Sequence, residues 1–232
     1  MSRKFISALL FLVGALCFFA AGTVVAKAAA RAEPVQNPGL DENVRDFLEK
    51  HRRSWRDMNV PEADGQILYD LIIQNGYTRA LEIGTSTGHS GVWIAWALSK
   101  TGGRLVTIEI DAGRHREAAA NFREAGLAAF IDARLADAHE VVPALKGPFD
   151  FVFIDADKDW YVNYARAVIP KLEAGGCLAA HNVHAARPGG RGWRRDGMGT
   201  ADYYEFMTAR PDFETSIHPD SWSGLALSYK KR

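Results

Sequence analysis

The sequence is poor in cysteine, has no excess charge of either sign and contains no internal repeat or low-complexity tract. Cys17 and Cys177 are the two cysteines, and neither has a partner at C-x-x-C spacing, so a disulfide or zinc framework is not expected. Lysine plus arginine and aspartate plus glutamate number 28 each. This balance gives no overall attraction to nucleic acid or to an anionic surface, and we predict no nucleic-acid partner.

Charge is also missing from a stretch near the N-terminus. After Arg3 and Lys4, residues 5–26 form an uncharged, mostly apolar run, and the small residues that follow offer A-x-A cleavage sites. The run is long enough to span a bilayer, whereas the A-x-A pattern is typical of secretory signals. The sequence therefore predicts a membrane-anchored protein, with export after signal cleavage as the alternative. We divide the chain into this leader, a linker with an N-terminal helix, and a globular domain: residues 1–32, 33–60 and 61–232.

Strand-like and helix-like segments alternate in the globular part. Five short runs rich in β-forming residues are separated by segments with helical spacing, among them predicted helices over 86–100 and 160–172, and this alternation is typical of a parallel sheet with helices on both faces. A helix over 200–209 then precedes two strands, "DFETSIH" and "SGLALSYK", joined by a short turn around Pro219. So short a connection makes an antiparallel pair. We predict an α/β fold with a seven-stranded mixed sheet that ends in a C-terminal antiparallel hairpin.

Acidic residues stand at the ends of four successive predicted strands: Glu82, Glu109, Asp137 and Asp155. Ligands of parallel sheets bind beyond the carboxyl ends of the strands, so we expect these acids to face one site. The turn after Glu82 has Gly84 and Gly88 at G-x-x-x-G spacing, where glycines let the backbone approach a ligand. The G-x-G-x-x-G of dinucleotide folds is missing, which disfavours a nicotinamide-dependent oxidoreductase.

Several segments resemble one enzyme family: "EIGTSTGHS", "VTIEID", "ADA" and "FDFVFIDADKDWYVNYARAVIPKLEAGGCLAAHNV". They are similar to the S-adenosylmethionine-dependent O-methyltransferases of the catechol and caffeoyl-CoA type, from about Asn59 to the C-terminus. The resemblance implies a doubly wound, Rossmann-like fold, in agreement with the seven-stranded sheet predicted above. It also implies methyl transfer to a hydroxyl group of a small phenolic or catechol-like acceptor, and a homodimer.

The resemblance further implies roles for individual residues. The cofactor would be bound by residues from four strand ends: Glu82, Gly84, Thr85, Gly88, Ser90, Glu109, Asp137, Ala138 and Asp157. Within this set, Glu109 would hold the ribose, and Asp137 and Ala138 would lie near the adenine. Lys158 would be the base that takes the proton of the acceptor, and the neighbouring Asp155 would be a metal ligand.

The chain departs from the family pattern at the predicted divalent-metal site. In the family the fifth strand supplies an Asp-Asn pair of ligands, and here the pair is His181-Asn182. Imidazole removes a charge and a hard oxygen donor, both of which suit Mg²⁺. Three roles stay open for His181: ligand of a softer divalent metal with Asp155 and Asn182, uncharged polar or general-base group in a metal-free site, or hydrogen-bonded strand-end residue.

A function outside catalysis also stays open. His181 departs from the expected ligand set, and S-adenosylmethionine is made inside cells whereas a signal peptide exports its cargo. A catalytically inactive methyltransferase fold, tethered to a membrane as a binding module, is therefore the alternative to an enzyme.

Overall fold

The computed structural model describes residues 37–55, 58–183 and 199–232. Within these residues the chain forms seven α-helices and seven β-strands. The helices are α1 Pro38–His51, α2 Glu62–Asn75, α3 His89–Thr101, α4 Ala112–Glu124, α5 Ala138–Ala144, α6 Tyr161–Val168 and α7 Thr200–Thr208. The strands are β1 Arg79–Ile83, β2 Arg104–Glu109, β3 Ile131–Leu135, β4 Phe149–Ile154, β5 Leu172–Ala180, β6 Phe213–Ile217 and β7 Ala226–Lys230.

All seven of these strands belong to one mixed sheet with the order β3-β2-β1-β4-β5-β7-β6. The first five strands are parallel, and β7 runs antiparallel to both β5 and β6. The structure thus confirms the predicted α/β fold, its mixed seven-stranded sheet and its C-terminal hairpin. In this order β1 and β4 are neighbours at the centre, so the ends of β1, β2 and β4 lie side by side.

The sheet separates two apolar cores, because successive side chains of a strand point to opposite faces. On β4, Phe151 and Phe153 pack with the core that contains residues of α1 to α4. Val152 and Ile154 pack with the core that contains residues of α5 to α7. Every residue of β4 is buried, which explains its nearly continuous run of apolar residues.

Local sequence signals set the helix ends, and two helices are shorter than the sequence predicts. The predicted helix over 86–100 begins only at His89, because Gly88 has φ 98° and completes the preceding turn. The predicted helix over 160–172 is α-helical only at Tyr161–Val168 and continues as a 3₁₀ turn containing Pro170. Proline lacks the N–H that an α-helix interior requires.

Helix α1 is attached to α3 through a buried ion pair. The Asp41 carboxylate lies 2.5 Å from Lys100 Nζ and accepts a hydrogen bond of 2.7 Å from the Trp96 indole. The predicted boundary between residues 32 and 33 lies outside the described residues, and the one between 60 and 61 stays a prediction.

In the described residues, 37–55, 58–183 and 199–232, no helix is long and apolar enough to cross a membrane. This finding contradicts the predicted localisation, a membrane-anchored protein. The apolar run that prompted that prediction, residues 5–26, lies outside the described part of the chain.

Candidate active site

The turn between β1 and α3 borders the candidate site, and its conformation depends on two glycines. Gly84 has φ 94° and Gly88 has φ 98°, a region that side chains with a Cβ rarely adopt. A Cβ at Gly84 would also collide with the backbone carbonyl oxygen of Asp155. The turn therefore passes close to the backbone at the end of β4.

Glu82, at the end of β1, is a fully buried acid. Its Oε2 accepts a 2.5 Å hydrogen bond from Thr107 on β2, and the Thr107 hydroxyl lies 2.5 Å from that of Thr85. Its Oε1 has no hydrogen-bond partner in the described part of the chain. Burial raises the pKa of Glu82 to about 7, against a smaller opposing effect of Ser90 and Thr107. The site thus contains a carboxyl oxygen that lacks a partner.

Glu109, at the end of β2, is held by backbone N–H groups. The Ser86 amide donates to Oε2 at 2.7 Å, and the Asp111 amide donates to Oε1 at 2.9 Å. Each carboxylate oxygen can accept a further hydrogen bond. Glu109 is therefore oriented by the protein and retains acceptors for two neighbouring donors such as those of a diol.

Asp137 and Asp157 make hydrogen bonds within the protein at the same edge of the sheet. Asp137 caps α5, where its carboxylate accepts from the His139 amide at 2.8 Å. Asp157 accepts from the Tyr164 hydroxyl at 2.6 Å and lies 3.0 Å from His139 Nε2. The His139 ring in turn stacks on Trp160, with 3.7 Å between ring centroids. Ala138 is the first residue of α5, directly beside these groups.

Lys158 follows β4 and is paired with Asp155. Its Nζ donates to Asp155 Oδ1 at 2.6 Å and to the Tyr161 hydroxyl at 2.8 Å. The Tyr161 hydroxyl itself donates to the backbone carbonyl of His181 at 3.1 Å. Two of the three N–H groups of Lys158 are thus engaged, and the lysine is fixed between β4 and the residue after β5.

His181 lies just past the end of β5, between two acids. Its Nδ1 is 3.2 Å from Asp155 Oδ2, and its Nε2 is 2.8 Å from Asp64 Oδ2 on α2. Burial alone would lower the pKa of His181, but the two carboxylates outweigh it and raise the pKa to about 9. One sequence-based hypothesis for His181 was an uncharged group, and the structure instead favours a charged ring.

The predicted metal ligands do not fit a divalent ion in this arrangement. Asp155 and Asp64 lie at opposite nitrogens of the His181 ring, and the second oxygen of Asp155 faces Lys158. Asn182 has φ 57° at the end of the strand. In the described ranges no group of three or more His, Cys, Asp or Glu side chains is placed to hold a metal ion. The divalent metal therefore stays a prediction from resemblance, without support from the donor geometry.

Sequence reasoning missed Asp64, Thr107 and His139. Asp64 lies on α2, 117 residues before its partner His181. An acidic residue in a predicted helix is usually interpreted as a solvent-exposed charge. Thr107 is an interior strand residue, whose β-branched side chain gives no chemical signal. His139 stands two residues after Asp137 and could have been noted as a polar residue at a strand end.

Solved O-methyltransferases share this fold. An O-methyltransferase from Bacillus cereus, solved with S-adenosylhomocysteine, is 25% identical with a TM-score of 0.65, covering 85% of this chain and 92% of that one. An O-methyltransferase from Streptomyces achromogenes, solved with S-adenosylmethionine, is 26% identical with a TM-score of 0.65, covering 86% and 92%.

The family model described as O-methyltransferase matches residues 32–186, and the chain belongs to this family. A catechol O-methyltransferase from Niastella koreensis is 39% identical over 130 residues, which are 54% of this chain and 58% of that protein. Caffeoyl-CoA O-methyltransferase 1 from Eucalyptus globulus is 31% identical over 153 residues, covering 64% and 61%. The chain thus matches about three fifths of the length of these two relatives.

Proposed function

We propose that the protein transfers a methyl group from S-adenosylmethionine to a hydroxyl group of a small phenolic or catechol-like acceptor. The observation that carries this proposal is the placement of Glu82 and Glu109 at adjacent strand ends, beside the Asp155 and Lys158 pair. The names of the relatives support the acceptor class, since they are catechol and caffeoyl-CoA O-methyltransferases.

The acids of β1 and β2 suit the two polar ends of this methyl donor. The buried and unpartnered Oε1 of Glu82 is matched to an ammonium group, which donates hydrogen bonds and carries the opposite charge. Glu109 has acceptors for a ribose diol. We assign the remaining contacts to residues of the same edge: Gly84, Thr85, Gly88, Ser90, Asp137, Ala138 and Asp157. When bound, S-adenosylmethionine supplies a methyl group on a positively charged sulfur.

Lys158 is proposed to take the proton of the acceptor. A phenol with a pKa of about 10 is mostly protonated at neutral pH, so its oxygen is a poor nucleophile until the proton is removed. The proton would pass to Lys158 Nζ at the position that Asp155 and Tyr161 leave open. The resulting ammonium pairs with Asp155 at the distance seen here, 2.6 Å.

The experiment uses the full chain, labelled S-adenosylmethionine and a panel of catechols and phenolic acids. We expect S-adenosylhomocysteine to bind one-to-one in calorimetry and label to pass to acceptors with a phenolic hydroxyl, but not to their O-methylated analogues. The proposal is wrong if calorimetry detects no heat with the methyl donor or its product. Binding without transfer to any acceptor would favour the inactive binding module.

A further inference from the structure

The surroundings of His181 determine how many hydrogens its ring carries. Each ring nitrogen lies within hydrogen-bond distance of a carboxylate oxygen, Asp155 Oδ2 at 3.2 Å and Asp64 Oδ2 at 2.8 Å. An ionised carboxylate can only accept hydrogen bonds, and a neutral imidazole has only one N–H to donate. Hydrogen on both nitrogens satisfies the hydrogen bond to Asp64 and the ion pair with Asp155 together, so the geometry favours an imidazolium ring.

The His181 ring itself fills the space between the two acids. With hydrogen on both nitrogens, the His181 ring has no lone pair for a metal. Asp155 is engaged on both oxygens, by His181 on one and by Lys158 on the other. The Asp64 carboxylate lies at the far nitrogen of the ring, so the two acids do not converge on one point.

The second acid, Asp64, is a buried residue of α2. Asp64 lies in the first turn of α2 and is 2% exposed; burial would raise its pKa, but the contact with His181, together with Ser221 and Ser223 of the β6–β7 connection, lowers the pKa. A buried carboxylate is costly unless it is paired and hydrogen-bonded. A histidine whose only role was to end a strand would not need a buried carboxylate as its partner. The contact with Asp64 therefore indicates that the His181 ring carries a positive charge.

We propose that the His181 ring, fixed between Asp64 and Asp155, is an internal cation that replaces the divalent metal, so that the site works without one. The inference rests on the proposed methyl transfer. When the acceptor hydroxyl gives its proton to Lys158, negative charge appears on the acceptor oxygen beside Asp155. A fixed positive charge next to Asp155 offsets part of that charge in a site of low dielectric constant. His181 is thus a positioning and charge-balancing residue.

The first test measures metal binding without any need for turnover. Mn²⁺ is titrated into the chelator-treated full chain, and free Mn²⁺ is followed by electron paramagnetic resonance. We expect no stoichiometric binding by the wild type. We expect His181→Asp to bind Mn²⁺, because the shorter carboxylate opens space beside Asp155 and Asn182 and supplies an oxygen donor. His115→Asp on α4, whose ring contacts the Ala133 carbonyl instead, is the matched control and should not bind.

The second test addresses the charge itself with His181→Gln, which keeps a polar side chain but cannot become a cation. We expect turnover to fall by about tenfold to a hundredfold, while affinity for S-adenosylhomocysteine shows that the fold is intact. Wild-type turnover should be indifferent to chelator. The inference is overturned if the wild type binds one Mn²⁺ per chain, or if His181→Gln turns over at the wild-type rate. Failure of every acceptor would instead overturn the proposed function, while the Mn²⁺ titration would still decide the metal question.

Discussion

Glu82 shows how a single buried acid links ligand binding to stability. Its pKa is raised by burial from 4.5 to about 7, so the folded chain keeps a proton that the unfolded chain releases above pH 4.5. The stabilising effect of this proton is complete below pH 4.5 and is lost as the pH rises to about 7. A ligand ammonium beside Glu82 favours the ionised carboxylate, so cofactor binding should release a proton near pH 6.

We expect Glu82→Gln to remove this pH dependence. The unfolding free energy of the variant minus that of the wild type should increase by roughly 3 kcal/mol between pH 4 and pH 8. Urea unfolding at the two pH values measures it. A constant difference would show that the carboxyl group does not hold its proton in the folded state. In calorimetry the variant should also lose most of its affinity for S-adenosylhomocysteine.

Lys158 is the residue on which the proposed proton transfer depends. We expect Lys158→Met to lower kcat by about a hundredfold or more, the usual contribution of a general base, and to leave the affinity for S-adenosylhomocysteine nearly unchanged. Lys146→Met is the matched control, because Lys146 is exposed in the connection between α5 and β4. Unchanged turnover of the Lys158 variant would remove this residue from the mechanism.

At the level of elements, the β1–α3 turn packs against the backbone at the end of β4 because Gly84 has no side chain. We expect Gly84→Ala to destabilise the fold more than Gly102→Ala, since both positions have positive φ but a Cβ at Gly102 meets no atom within 4 Å. The conformational cost alone is about 1–2 kcal/mol, and only Gly84 adds a collision with the Asp155 carbonyl. Thermal unfolding of the two variants gives the difference. Equal destabilisation would mean that the turn relaxes around the new methyl group.

The attachment of α1 to α3 is a second element-level prediction. Asp41→Ala leaves Lys100, whose side chain is 5% exposed, as a buried unpaired charge, and removing one partner of such a pair costs about 3 kcal/mol or more. Asp46→Ala, at an exposed position of the same helix, should change stability little. Denaturant unfolding of both variants tests this prediction. Similar unfolding free energies for the two variants would show that Lys100 becomes hydrated or pairs with another acid.

For the molecule as a whole, the sheet and the strand-end acids could be predicted from sequence, and the electrostatic network could not. Apolar runs, glycine turns and the short hairpin are local signals, so the sheet with Glu82, Glu109 and Asp155 at strand ends follows from them. The contact of His181 with Asp64 joins residues 117 positions apart and depends on how α2 packs against the end of β5. Side-chain packing of this kind leaves no periodic pattern in the sequence.

The position of β7 inside the sheet gives a prediction about global stability. Leu227 is 4% exposed and pairs with Ala179 on one side and Ser216 on the other. We expect Leu227→Asp to prevent stable folding, since an unpaired buried carboxylate costs about 4 kcal/mol or more. Lys231→Asp, at an exposed position after the strand, should fold normally. Circular dichroism and heat denaturation would compare them, and a cooperative melt of the Leu227 variant near that of the wild type would contradict the prediction.

The place of β7 between β5 and β6 also has a consequence for biosynthesis. While the chain is being made, β5 has an open edge until residues 226–230 leave the ribosome. Open strand edges pair readily with other chains. A nascent chain paused before residue 226 is therefore exposed to misassociation through the edge of β5, whereas its first three strands can already be in place.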